Sequence, residues 1–326
     1  MKTNLTITYL AGVIVLVLGL QCCNQLNASR KEKTKMEKQN TQPGISPEAF
    51  MARQKHVTLD NIVHIPVDVA YTDFGHGEPL ILLHGIPTWS FLYNSVINDL
   101  SQDYRVIAPD FLGHGWSDQR DKFDRSIEVQ AKMILSLMDH LNLKSAHFIG
   151  HDTGGGVSLI LAVNHGERIN KLVLSNIVVY DSWPIDDMLA LGNPEWVDKS
   201  VTEIADFLLE GYAVGLTDKS RLTENFKEGI IAPYITETGK VSLIRNASAL
   251  NTNHTVALMD RHHTIRSKTL LLWGVDDPWQ TIADGEQLAS EIPNSRLVKL
   301  ENASHWVQQD APERYISEVI QFLKED

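Results

Sequence analysis

Short, nearly continuous apolar runs recur between residues 67 and 300, and this pattern constrains the fold more than any other feature. Such runs are typical of strands that are buried on both faces of a parallel sheet. The candidate strands are VDVAYTDF (67–74), PLILLHG (79–85), RVIAPD (105–110), SAHFIGHD (145–152), KLVLSN (171–176), TLLLWG (269–274) and SRLVKL (295–300). Helical stretches lie between or after them, at 126–142, 154–168, 282–291 and 311–324. Because strands and helices alternate, we expect the α/β class, with a mostly parallel, doubly wound sheet.

One interval breaks this alternation. Residues from about 180 to 262 have a helical and loop-like pattern without a strong buried strand. Ligands of open α/β sheets bind outside the carboxyl ends of the strands. We therefore expect the interval to form a helical cap that encloses this crevice.

The charge and the cysteines exclude several classes of protein. The chain of 326 residues has 29 Lys+Arg and 41 Asp+Glu, a formal net charge of −12. A nucleic-acid binder needs a basic face for phosphate contacts, so we expect no nucleic-acid partner. Cys22 and Cys23 are the only cysteines, and both precede the folded part of the chain. Disulfides, zinc fingers and cysteine catalysis are therefore excluded for that part.

The first 45 residues have the composition of a targeting segment. ITYLAGVIVLVLGL (7–20) is apolar for 14 residues, shorter than the roughly 20 that a membrane-spanning helix needs. We interpret residues 1–23 as a signal peptide, or as a lipoprotein signal in which Cys22 or Cys23 is lipidated, or as a retained membrane anchor. The polar residues 24–45 are predicted to be a flexible linker, and residues 46–326 the α/β domain. We expect an exported protein, either periplasmic or attached to the membrane through its N-terminus.

The strongest catalytic signal is Gly150-His151-Asp152-Thr153-Gly154, between a predicted strand and a predicted helix. It has the form of the G-x-S-x-G nucleophile elbow, with aspartate in place of serine. In that turn one side chain is exposed, and the residues two before and two after it must be small. The alternative is an ordinary glycine-rich turn that binds phosphate at a helix N-terminus.

Three further positions at strand ends favour the catalytic interpretation. Asp277 follows the strand TLLLWG, and His305 follows the last predicted strand, so the chain order is nucleophile, acid, histidine. Asp181 is a rival for the acid. Ile86 follows the strand PLILLHG, and its backbone N–H, with that of Thr153, is predicted to form an oxyanion hole.

The segments HGIPTWSFLYNSV (84–96) and RVIAPDFLGHGWSD (105–118), together with the aspartate elbow, resemble the haloalkane dehalogenase and epoxide hydrolase branch of the α/β-hydrolase superfamily. The resemblance covers residues 46–326. It implies the α/β-hydrolase fold, with the helical cap inserted after the sixth strand. Some dehalogenases place the catalytic acid after that strand, where this chain has Asn176, and this supports Asp277 as the acid.

An aspartate nucleophile suits attack on a saturated carbon that carries a leaving group, because the product is an alkyl ester on the enzyme. His305, oriented by Asp277, would then activate the water that hydrolyses this ester. The Ile86 and Thr153 amides would bind the oxyanion of this second step. We therefore expect a hydrolase that acts on small apolar organic substrates and water, with no cofactor and no metal.

The leaving group is less well defined by the sequence. The resemblance implies side-chain N–H donors for a halide, but the family positions for them carry Thr153 and Ile86. It implies two cap tyrosines for an epoxide, and the cap offers Tyr180, Tyr212 and Tyr234. A haloalkane dehalogenase-like activity is the first hypothesis and an epoxide hydrolase the alternative. A non-catalytic ligand-binding protein on the same fold is the third.

Several residues are candidates for the substrate pocket: Trp89, Trp183, Asn253, His254 and Trp306. The last of them directly follows the predicted catalytic histidine. For Asn253 and His254, the alternative is a polar helix end that faces solvent. The sequence does not define the oligomeric state.

Overall fold

The computed structural model describes residues 44–325. The predictions for residues 1–23 and most of the predicted linker lie outside this range. Within it, no helix is long and apolar enough to cross a membrane. Ile45, which was assigned to the linker, is buried, and its N–H donates to the carbonyl of Asn94 at 3.2 Å. The folded domain therefore begins slightly earlier than predicted.

An eight-stranded sheet forms the centre of the domain, in the order β1-β2-β4-β3-β5-β6-β7-β8. Its strands are β1 (Gln54–Leu59), β2 (Val67–Phe74), β3 (Glu78–Leu83), β4 (Tyr104–Pro109), β5 (Ala146–Asp152), β6 (Ile169–Ile177), β7 (Lys268–Gly274) and β8 (Ser295–Leu300). The pairs β1–β2 and β2–β4 are antiparallel, and the remaining pairs are parallel. All the predicted strands are present, and β1 was missed.

Helices cover both faces of the sheet and follow most of its strands. They are α1 (Pro47–Met51), α2 (Ile97–Leu100), α3 (Ile127–His140), α4 (Thr153–Asn164), α5 (Asp186–Leu191), α6 (Val201–Val214), α7 (Glu224–Ile231), α8 (Glu237–Ser248), α9 (Asn253–Val256), α10 (Ile282–Glu291), α11 (Val307–Asp310) and α12 (Pro312–Lys324). Polar side chains mark their starts: Ser126 caps α3, and Ser200 forms a capping box with Glu203 at the start of α6.

Two apolar cores lie on the two faces of the sheet. Along β3, Leu80 and Leu82 belong to one core, whereas Ile81 and Leu83 belong to the other. This alternation follows from strand geometry, because successive side chains point to opposite faces. It explains why the strands appear as continuous apolar runs in the sequence, and it confirms the doubly wound architecture.

The cap, which consists of α5 to α9, lies between β6 and β7, where the sequence predicts it. Buried hydrogen bonds tie it to the sheet domain. The indole Nε1 of Trp89 donates to the carbonyl of Gly229 at 3.0 Å, at the end of α7. The buried Arg125 donates through Nη1 to the carbonyl of Ser242 at 2.7 Å and to Oδ1 of Asn246 at 2.8 Å, both on α8. These bonds fix one half of the cap over the carboxyl ends of the strands.

Candidate active site

Asp152 lies at the junction of β5 and α4, with a backbone φ of 51°. A positive φ is uncommon for a residue other than glycine and marks a strained turn. The turn packs closely on the end of β3, because a Cβ on Gly154 would lie 2.2 Å from the carbonyl oxygen of Leu83. The pattern that predicted a nucleophile elbow therefore corresponds to such a turn in the structure, and glycine at position 154 has a steric reason.

The side-chain carboxylate of Asp152 is held by backbone amides. The N–H of Ile86 donates to Oδ1 at 2.8 Å, and the adjacent backbone amide of Thr153 acts to lower the pKa of the same carboxylate. Gly85 packs against the same group, since a Cβ there would lie 2.2 Å from Oδ1. The structure thus brings together the predicted nucleophile and both predicted oxyanion donors.

Burial raises the pKa of Asp152, and the opposing effects of the His305 charge and of the two amides do not cancel this rise. The charged carboxylate is thus held in a site that disfavours its charge. Such a group is a candidate for a functional role.

His305 lies between the two carboxylates. Its Nδ1 is 2.8 Å from Oδ2 of Asp277, and its Nε2 is 3.9 Å from Oδ2 of Asp152. Burial acts to lower the pKa of His305. The charge and hydrogen bond of Asp277, together with the charge of Asp152, outweigh this effect and raise the pKa above its ordinary value. The geometry is that of a base oriented by an acid and aimed at a third group.

Asp277 is buried and its carboxylate accepts several hydrogen bonds. Its Oδ1 accepts from the backbone N–H groups of Trp279 at 2.8 Å and Gln280 at 3.1 Å. Its Oδ2 accepts from Nδ2 of Asn176 at 2.7 Å, besides facing His305. Asn176, the position at which the resemblance implies the acid of some dehalogenases, therefore helps to hold the carboxylate of Asp277. Asp181, the rival candidate, is exposed to solvent.

Aromatic rings surround His305. The ring centroids of Trp306, His151 and Trp279 lie 4.3, 4.6 and 5.0 Å from its own. His151 is fully buried, and burial lowers its pKa well below the ordinary value, so that it stays neutral. Its Nδ1 is 2.9 Å from the carbonyl of Ser175. The two histidine rings thus contact each other at an interplanar angle of 53°, and of the two only His305 has a carboxylate partner.

A cavity of about 210 Å³ opens beside Asp152 and His305, under the cap. Most of its wall is apolar, with side chains from the oxyanion loop, α5, α6 and the segment after β7. Of the predicted pocket residues, Trp183 and Trp306 line it. The Nε1 of Trp183 donates to Oγ1 of Thr255 at 2.7 Å, whereas Nε1 of Trp306 has no partner among residues 44–325.

The structure places the other three predicted pocket residues outside the wall of this cavity. Trp89 is fully buried away from the cavity, where its indole joins the sheet domain to α7. Asn253 is exposed at the start of α9, and Nδ1 of His254 is 3.2 Å from Oε1 of Glu128. The solvent-facing alternative therefore applies to Asn253, whereas the side chain of His254 is partly buried beside Glu128 of α3.

The hydroxyls of the three cap tyrosines all donate hydrogen bonds to acceptors within the protein. Tyr212 lines the cavity, but its hydroxyl donates to the carbonyl of Pro87 at 2.8 Å. The hydroxyl of Tyr234 donates to the carbonyl of Thr88 at 2.7 Å. The hydroxyl of Tyr180 donates to a carboxylate oxygen of Glu291 at 2.8 Å, outside the cavity.

Gln280 lines the cavity and was missed by the sequence analysis. It stands three residues after Asp277, in the turn that places the acid, and the position in that turn was the only signal for it. Residues 44–325 contain no group of three or more His, Cys, Asp or Glu side chains that could hold a metal ion.

Comparison with known proteins agrees with this fold. A family model described as the alpha/beta hydrolase fold matches residues 78–208. Haloalkane dehalogenase 2 of Mycobacterium tuberculosis is 30% identical over 262 residues, which is 78% of this chain and 90% of the relative. Epoxide hydrolase 4 of Homo sapiens is 27% identical over 273 residues, 77% of this chain and 74% of the relative. The crystal structure of an alpha/beta hydrolase fold protein from Burkholderia ambifaria matches with a TM-score of 0.74 at 24% identity, over 82% of this chain and 99% of that one.

Proposed function

Because the chain belongs to the α/β-hydrolase superfamily, in its haloalkane dehalogenase and epoxide hydrolase branch, and is a hydrolase, we propose that it works through an alkyl ester on Asp152. In the first step, a carboxylate oxygen displaces a leaving group from a saturated carbon of the substrate. In the second step, water hydrolyses the ester. We further propose that the leaving group is a halide, as in a haloalkane dehalogenase.

The observation that carries this proposal is the way in which the Asp152 carboxylate is held. Oδ1 accepts the N–H of Ile86, whereas Oδ2 lies toward His305. Attack by Oδ2 would leave Oδ1 as the carbonyl oxygen of the ester, already in place between the Ile86 and Thr153 amides. Donors placed in advance where negative charge develops supply a large share of the catalysis in such reactions. The same amides would thus bind the oxyanion when water attacks the ester.

His305 is placed to act in the second step. Its Nε2 is 3.9 Å from Oδ2 of Asp152, a distance that suits a base acting on a water molecule near the ester. The imidazole takes a proton from that water, and Asp277 at 2.8 Å stabilises the imidazolium that forms. The imidazolium then gives this proton to the oxygen of the leaving alcohol, and the second proton of the water passes to solvent as the Asp152 carboxylate is regenerated.

A halide suits the cavity better than an epoxide oxygen. Opening an epoxide generates an alkoxide, which needs a proton from an acid such as a tyrosine hydroxyl. The hydroxyl of Tyr212, the cap tyrosine that lines the cavity, already donates to the carbonyl of Pro87. A departing halide needs hydrogen bonds but no proton. Because the hydroxyl of Tyr212 already donates its proton to a backbone carbonyl, the cavity favours displacement of a halide.

The cavity also limits the organic part of the substrate. A volume of about 210 Å³ with a mostly apolar wall suits a small, largely apolar molecule. The exposed carboxylates of Asp187 and Glu210 lie on the wall and form no ion pair with residues 44–325. They would repel anionic substrates, so we expect neutral haloalkanes rather than halogenated acids.

The test is the intact mass of the His305→Gln variant after incubation with a panel of haloalkanes and epoxides. Without its base, the enzyme should stall as the ester on Asp152. A mass gain equal to the substrate minus hydrogen halide indicates dehalogenation, and a gain equal to the whole epoxide indicates epoxide opening. The Asp152→Asn/His305→Gln double variant is the control and should gain no mass. If the wild type converts a panel member while His305→Gln forms no adduct with it, the covalent mechanism is refuted.

A further inference from the structure

A leaving group that departs in line from Asp152 moves away from the attacking oxygen and into the cavity. A halide carries a full negative charge at that point, in a wall that is mostly apolar. Burying an ion without hydrogen bonds is costly. A donor in the cavity wall is therefore required, and it must come from the residues that the structure leaves free.

Gln280 has the properties of such a donor. The residue is 2% exposed and lines the cavity, and its Oε1 is buried without a hydrogen-bond partner. Its side-chain amide makes no hydrogen bond to any residue of the described chain, 44–325. Oε1 can only accept, so the atom available to an anion is the amide nitrogen Nε2, which makes no hydrogen bond to residues 44–325 and is not sealed in the protein as Oε1 is.

The backbone of Gln280 is fixed on both sides. Its N–H donates to Oδ1 of Asp277 at 3.1 Å, and its carbonyl accepts from Nε1 of Trp273 at 2.8 Å. The side chain therefore extends into the cavity from the same rigid turn that carries the acid. A pre-organised donor of this kind needs little rearrangement when the halide forms.

Other polar groups on the wall are less suitable. The indole N–H of Trp183 and the hydroxyl of Tyr212 already donate to the protein, and the carboxylates of Asp187 and Glu210 can only accept. The indole nitrogen of Trp306 lies against the backbone of α6, since a Cβ on Gly215 would be 2.4 Å from it.

We propose that the side-chain amide of Gln280 is the hydrogen-bond donor to the departing halide. The inference rests on the function proposed above. As the bond between Oδ2 of Asp152 and the substrate carbon forms, the carbon–halogen bond breaks and its electron pair leaves with the halide. Gln280 donates an N–H hydrogen bond to that ion and transfers no proton. Gln280 thereby supplies the side-chain N–H donor that Ile86 and Thr153 do not have.

The test measures alkylation of Asp152 by intact mass over time, in the His305→Gln background, with matched 1-chloro and 1-iodo alkanes. Gln280→Met keeps the size of the side chain but removes the donor. We expect alkylation by the chloroalkane to slow about ten- to hundredfold, the value of one hydrogen bond to a charged group. The iodoalkane should slow much less, because iodide spreads its charge over a larger ion. Gln280→Glu, which replaces the amide by an acceptor, should show the same selectivity and guards against a packing effect of methionine.

One control variant and one competing donor make the result specific. Gln287→Met is the control, because it changes an exposed glutamine on α10, and it should leave both rates unchanged. Thr153→Val tests the competing donor, because it removes a hydroxyl on the cavity wall next to Asp152 but keeps the backbone amide; it should not slow the chloroalkane selectively. The proposal is overturned if Gln280→Met slows both halides equally, if it slows only ester hydrolysis when His305 is intact, or if Thr153→Val alone gives the selective loss. Each of these outcomes is compatible with the ester mechanism. The proposed function is refuted instead if the His305→Gln single variant forms no adduct with a substrate that the wild type converts.

Discussion

Replacing Gly154 by alanine should separate the two amides that hold Asp152. The added Cβ would lie 2.2 Å from the carbonyl oxygen of Leu83 and 2.4 Å from that of His84. Ordinary van der Waals contact begins at 3.4 Å, so the end of β3 and the start of α4 must move apart by about 3.4 − 2.2 = 1.2 Å. If that shift falls on the Ile86 amide, its 2.8 Å hydrogen bond to Oδ1 lengthens to about 4.0 Å. At that distance it is no longer a hydrogen bond.

Loss of one oxyanion donor typically costs about 10²- to 10³-fold in rate. We therefore expect Gly154→Ala to slow hydrolysis of the ester by this factor, and the overpacking to lower the free energy of unfolding by about 1–3 kcal/mol. Single-turnover hydrolysis after rapid alkylation measures the first effect, and urea unfolding measures the second. Gly166→Ala is the matched control, because a Cβ there meets no atom within 4 Å. Wild-type hydrolysis in a folded Gly154→Ala variant would refute the assigned role of the amides.

Three further predictions concern charge. Burial raises the pKa of Asp152 in the folded state, so ionisation of this carboxyl at high pH destabilises the fold. Asp152→Asn should therefore raise the free energy of unfolding at pH 7 by about 0.5–2 kcal/mol, and by less at pH 4. The charge of Asp152 helps to raise the pKa of His305, and ester formation removes that charge. The acid limb of ester hydrolysis should therefore lie below the pKa of His305 measured by NMR in the free enzyme, and equal values would contradict this. Arg125→Met should lower the free energy of unfolding by about 3 kcal/mol because its buried acceptors on α8 lose their donor, whereas the exposed Arg245→Met should change it little.

Much of the fold could be predicted because burial on both faces makes a strand appear as a run of apolar residues. β5 and β7 follow this rule directly. β1 does not, because it is an edge strand with the mostly polar sequence QKHVTL, and it pairs only with β2. The pairing with β2, and not the sequence pattern of β1 itself, makes this segment a strand.

The elbow and its partners could be placed in the same way, since each stands at the end of a predicted strand. The cap residues could not, because no strand end orients them. Trp89 shows the difference: its place in the chain suggested the pocket, but its indole is used to hold α7. Gln280 shows the reverse, since only the three-dimensional structure reveals that its amide has no partner among the described residues.

The cap is attached unevenly, and this affects how ligands enter and leave. Trp89 and Arg125 hold α7 and α8 to the sheet domain by buried hydrogen bonds. At the end of α5, by contrast, the carbonyl of Gly192 accepts from Ser248, which belongs to another cap helix. α5 also contributes Asp187 and Met188 to the cavity wall. On the proposed mechanism, displacement of α5 would open the cavity to the alcohol and the halide, so that the residence time of these products would depend on this short helix and not on the catalytic groups beneath it.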